Sequence, residues 1–121
     1  MNSQKIRTQI RKAISKMPTN GVVYREEENE FHEKRDKTKV CDVVGLKHSK
    51  RLAIAVSIED AGQMNLPKQD YFMTEYSEQS QKIKEGDQIE IKGVYYEVQD
   101  LGNTLDLYFD MAIKRRGSNE S

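Results

Sequence analysis

The chain has no tryptophan, a single cysteine and only two prolines among its 121 residues. One cysteine, Cys41, cannot make an internal disulfide, and such sparing use fits a reducing compartment. No apolar run approaches the roughly 18 residues of a membrane span. The N-terminus lacks the apolar stretch of a signal peptide, so synthesis in a cytoplasm is expected. There is no charge excess either: Lys plus Arg and Asp plus Glu each number 20. That balance counts against a dedicated nucleic-acid binder, whose footprint is normally basic. Apolar residues make up 36% and charged residues 33%. The expectation is one domain with a small core, long polar loops and stability borrowed from partners. A chain of this length buries roughly two-thirds of its unfolded surface and holds together without metal or disulfide.

Site chemistry is equally sparse. The two histidines, His32 and His48, stand in charged, loop-like stretches, and no ligand pair has the close spacing of zinc motifs. Cys41 lies in a strand-like run and reads as a small buried hydrophobe rather than a nucleophile. No glycine-rich phosphate loop, G-x-S-x-G or H-E-x-x-H occurs. Asp106 and Asp110 would share a strand face about 13 Å apart, too far for a catalytic pair. The expectation is a protein that is not an enzyme and uses no cofactor or metal.

What is present is organised. Residues 3–17 carry Ile6, Ile10, Ala13, Ile14 and Met17 at helical spacing behind Ser3 as N-cap. The other faces are basic, with Lys5, Arg7, Arg11, Lys12 and Lys16 and no acid. Pro18 ends the helix. Two uses stand open: docking on the domain, or a basic arm, with Arg7, Arg11 and Lys12, that touches a partner. Then "VVYREE" and "TKVCDVVGL" read as two strands of a long hairpin. Their loop holds Glu26, Glu27, Glu28, Glu30 and Glu33, either a solvated tip or the partner of the helix.

"RLAIAVSIED" reads as a strand with large residues on one face and Ala53, Ala55 and Ser57 on the other, suited to close packing by a helix or subunit. A loop of about ten residues follows, long for a small domain. Its Met64 and Leu66 are candidate partner contacts, or the loop has no partner. "YFMTEYS" is a further strand. "QIEIKGVYYEV" is a hairpin turning at Lys92-Gly93, with Ile89, Ile91, Val94, Tyr96 and Val98 on one face. "TLDLYFDMAIKRR" alternates from Leu105 to Lys114 and reads as the last strand, ending on Lys114, Arg115 and Arg116 at a rim. The sum is a mainly β fold: a small antiparallel β-barrel or sandwich of about six strands with an N-terminal amphipathic helix. It comprises one domain, with a helix at 3–17, a barrel at 20–114 and a flexible tail at 115–121.

The order of these segments resembles a known family. An amphipathic helix precedes "MPTNGVVYRE" and "VCDVVGLKH", and the chain closes with "KIKEGDQIEIKGVYYEVQDLGNTLDLYFDMAIKRR". This layout is similar to the head–tail connector proteins of tailed phages and prophages, of the head-closure or stopper type. The likeness in wording is confined to Lys82–Arg115 and is carried most by "DLGNTLDLYFDM". The resemblance implies a structural virion protein of the neck, without catalytic activity or cofactor. Such proteins form rings, typically dodecameric, below the portal or adaptor, continue the channel for double-stranded DNA, retain the packaged genome and dock the tail. A tail terminator or tail completion protein is the nearer alternative; an OB-like nucleic-acid module is the one from another class.

Overall fold

A computed structural model describes residues 3–28, 35–51 and 68–116. Helix α1 (Ser3–Lys16) is followed by β1 (Thr19–Glu28), β2 (Arg35–Arg51), β3 (Lys68–Glu75), β4 (Gln88–Ile91), β5 (Val94–Asp100), β6 (Asn103–Thr104) and β7 (Tyr108–Arg115). The pairing runs β3-β2-β1-β4-β5-β7, and β7 pairs back onto β3. Six antiparallel strands therefore close a barrel, and the two-residue β6 pairs only with the start of β7. Closure removes the exposed edges that a six-strand sheet would otherwise present.

The alternation expected for each strand sets which side chains fill the barrel. Val23, Cys41, Val43, Phe72, Ile89, Ile91, Tyr96, Val98, Phe109, Met111 and Ile113 point inward and form one buried cluster. A barrel of this size has room for side chains and nothing else. Phe72, fully buried, is seated on two glycines. A Cβ on Gly45 would lie 2.8 Å from its ring and 2.3 Å from the Met73 carbonyl oxygen; one on Gly21 would lie 2.7 Å from Ile89. Glycine makes room for the Phe72 ring at position 45 and for the Ile89 side chain at position 21.

The turn at Lys92-Gly93 is as read from the sequence. Both residues have positive φ (52° and 82°), the primed geometry that suits the twist of a hairpin. Ile89 pairs with Tyr96 and Ile91 with Val94, so the expected common face holds.

Three expectations are corrected. The last strand begins at Tyr108, not Leu105. Leu105 and Asp106 both have positive φ (53° and 56°) and form a turn in which Leu107 N–H donates to the Thr104 carbonyl (2.8 Å). Asn103 fixes that turn: its amide donates to Asp106 Oδ1, and its Oδ1 accepts the Asp106 N–H. Leu105 is consequently 68% exposed, and Asp106 and Asp110 share no strand face. His48 stands within β2 rather than in a loop, because β2 continues past β1 and pairs with β3. The C-terminal boundary also moves, since Arg115 ends β7 and the Arg116 N–H donates to the Tyr95 carbonyl (2.9 Å). The strand expected at "RLAIAVSIED" and the loop with Met64 and Leu66 lie outside the described residues.

Candidate interaction surfaces

Strand direction gives the barrel two unlike ends. β1 and β2 run past their neighbours at one end, where residues 76–87 and 101–107 also make their connections. This is the acidic end, since Glu78, Glu85, Asp100 and Asp106 are exposed there. At the other end β2 and β3 run on to Arg51 and Lys68, beside the Lys92-Gly93 turn and the finish of β7. β2, 17 residues long, forms one side of the β1–β2 extension and continues to the opposite end. At a rise of about 3.3 Å per residue it is longer than the barrel it serves.

The acidic end is closed by the segment after β3. Ser80 and Ile83 are buried there, in and just after a single 3₁₀ turn at Ser80–Lys82. Ser80 Oγ donates to the Glu75 carbonyl and accepts the Ser77 N–H (both 2.8 Å). Asp87, almost fully buried, accepts Arg25 Nε (2.8 Å) and a second guanidinium N–H (2.9 Å). It also accepts the Lys84 N–H (2.8 Å), while Arg25 donates to the Lys82 carbonyl (3.0 Å). Such a bidentate pair fixes orientation as well as charge. Its effect is to tie the root of the β1–β2 extension to the barrel floor.

The outer side of that extension leans on β4, β5 and β7. Lys37 Nζ sits 4.0 Å from the Tyr95 ring centroid. Tyr24 and Tyr95 rings are 6.2 Å apart, and Tyr24 Oη donates to Glu90 (3.4 Å). Partial burial, then the Glu90 charge, pushes the Tyr24 hydroxyl above its ordinary value. Glu26 lies 3.5 Å from Arg116. Burial alone would raise the Glu26 carboxyl, but the Gln88 hydrogen bond and Arg116 together hold it below the ordinary range.

At the basic end the polar contacts are fewer and wetter. Ser49 Oγ donates to Asp70 (2.6 Å), and Lys47 stands 3.9 Å from the same carboxylate. On the outer wall His48 meets Asp110 (2.8 Å) under a stacked Tyr71 ring. Cys41 faces the core, where burial pushes its thiol up, as the reading of a small hydrophobe requires.

The residues singled out from sequence are thus dispersed. Helix α1 rests on the outside of β2 and β3, and none of its residues is buried. Arg11 is turned to its own barrel, 2.7 Å from Glu75, which raises the guanidinium further. Arg7 is half-buried and Lys12 exposed, and neither is bonded to the acidic extension among the described residues. Glu26 is engaged by Gln88 and Arg116 rather than by the helix; Glu27 and Glu28 end β1. Lys114 and Arg115 are exposed at the basic rim as expected, and Arg116 is held against Glu26. Sequence reasoning missed the Arg25–Asp87 clamp, whose partners lie 62 positions apart. It also missed Lys92 as a rim charge. The signal for Lys92 was available, because a hairpin turn must lie at a barrel end.

Among the described residues no group of His, Cys, Asp and Glu could hold a metal ion, and no helix is long and apolar enough to cross a membrane. The chain matches no family model and no curated protein.

Proposed function

We propose that this chain is a structural protein of the phage neck, of the head-closure type, whose copies form a ring below the portal or adaptor. The observation that carries the reading is the architecture of β2. One long strand pairs first with β1 and then with β3, so it helps close a compact barrel and carries the β1–β2 extension beyond it. A subunit of this shape has a rigid body for ring packing and, in the β1–β2 extension, a reaching element for a protein stacked on the ring. The C-terminal stretch that resembles connector proteins forms the closing segment and β4–β7, so the likeness falls on the barrel wall and floor. The loosely seated helix and the small core suit a subunit that gains stability from its neighbours. In this reading the chain performs no catalytic step and needs no cofactor. Its ring surrounds double-stranded DNA without reading sequence, and it acts in the virion neck.

Electron microscopy of the protein mixed with the portal of the same phage tests the reading. Rings of portal symmetry seated beneath the portal are expected. Rings seated at the distal end of a tail tube would assign it to tail completion instead. Failure to associate with either would overturn the proposal.

A further inference from the structure

We infer that copies of this chain join end to end, the basic end of one barrel against the acidic end of the next. At the basic end Lys92, Lys114 and Arg115 are exposed and make no ion pair among the described residues. They come from the β4–β5 turn and the finish of β7, which the strand directions bring to one rim. Lys50, Arg51 and Lys68 occupy the adjoining ends of β2 and β3. Of the acids described near this rim, Asp70 is held by Ser49 and Lys47 and Glu26 by Arg116, while Glu97, opposite Lys114 across β5 and β7, reduces the positive charge without reversing it. At the opposite end Glu78, Glu85, Asp100 and Asp106 are exposed and likewise make no ion pair among the described residues. Lys37, Lys82 and Lys84 reduce the negative charge there without reversing it, because Arg25 is engaged by Asp87 and Lys39 by Asp42.

The two ends are therefore complementary to each other on one molecule. The chain as a whole is neutral, so no long-range repulsion opposes association of copies. A contact between two different surfaces of identical subunits is heterologous, and it closes into a ring when the rotation per step allows. Nucleic acid fits the basic end less well. The aromatics near it are engaged, Tyr71 on His48, Tyr95 by Tyr24 and Lys37, and Tyr96 in the core, leaving no stacking platform among the described residues. The inference supplies the ring of the preceding section with its subunit contact, and rests on that reading for closure.

Charge reversal in two sets tests it. One variant carries Lys92→Glu, Lys114→Glu and Arg115→Glu. The other carries Glu78→Lys, Glu85→Lys and Asp106→Asn, the last keeping a residue that tolerates positive φ. All six positions are exposed, and circular dichroism checks the fold of each variant. Sedimentation at low ionic strength, where screening reaches only beyond about 30 Å, should show wild-type mass rising with concentration and falling with added salt. Each variant alone should lose the rise, having two ends of one sign. An equal mixture should regain it. A wild type that stays monomeric, or a mixture of folded variants that stays monomeric, would overturn the inference. So would binding of a DNA duplex that the first variant loses while the wild type shows no self-association. Rings beneath the portal formed equally by both reversed variants would remove this contact yet leave the ring reading standing. Salt-sensitive association in solution without rings at the portal would do the opposite.

Discussion

The two ends of the barrel handle charge in opposite ways. At the acidic end Asp87 is 4% exposed and engaged by three N–H donors, while Arg25 is one-third exposed. At the basic end Asp70 and Lys47 are each 31% exposed and 3.9 Å apart. A buried carboxylate must be satisfied by protein, because water cannot reach it. A half-exposed one is satisfied largely by solvent. The first ion pair is therefore part of the fold, and the second leaves its end free to change partners. The end that is locked carries the root of the β1–β2 extension; the end that is loose carries the unengaged cations.

Removing Asp87 tests this contrast at its strongest. Asp87→Ala leaves the Arg25 guanidinium and the Lys84 N–H without their acceptor. The expected loss is about 3 kcal/mol of unfolding free energy, read from the urea midpoint. Arg25→Ala should cost a similar amount, since it strands the buried carboxylate. The double replacement should cost clearly less than the sum, because the partners share one interaction. Additive effects would show that the clamp does not act as a unit.

The elements differ in how much of this could be seen beforehand. Alternation made the core of β4, β5 and β7 legible, because period two survives wherever one face is buried. The helix was legible from Ile6, Ile10 and Ile14, and so was the turn at Lys92-Gly93 with its positive φ at Gly93, though not the one at Lys92. A barrel or a sandwich was expected, but the closure that decides between them was not legible, since it depends on β3 meeting β7 across 33 to 43 residues, and a local pattern carries no such information. Leu105 misled because its alternation with Leu107 is fortuitous. Asn103 and the tight turn decide its backbone, and turn chemistry overrides hydrophobic period there. Nor did local pattern show why Gly45 and Gly21 are glycine, since the need for room comes from Phe72 and Ile89 on other strands. The rim charges were half legible: Lys114 and Arg115 were found at the chain's end, whereas the opposition of two charged ends required the topology.

A smaller effect separates the flank of the β1–β2 extension from its clamped root. Glu26 has a folded-state value below its unfolded one, so its contribution to stability is present above the unfolded carboxylate range. That contribution is lost as pH falls through the folded value. Wild type and Glu26→Gln should differ by about 0.5–1 kcal/mol at neutral pH, and the difference should vanish in acid. Hydrogen exchange should place the loss in residues 24–28 and 35–39 and leave β7 unaffected. A difference that persists below the carboxylate range would mean that Glu26 acts through packing rather than charge.

The smallest effect is expected at the loose end, and its smallness is the point. Lys47→Met keeps much of the aliphatic stem and removes the charge, and with it the weak cation–π contact of an ammonium 5.5 Å from the Tyr96 ring centroid. Asp70 retains the Ser49 hydroxyl and water, so no buried group is abandoned. The change in unfolding free energy should stay within about 0.5 kcal/mol, the range of exposed ion pairs. A loss comparable to that of Asp87→Ala would show that the basic end is locked as firmly as the acidic one. The rim cations would then belong to a rigid floor, and a partner arriving there would meet a surface with no freedom to rearrange.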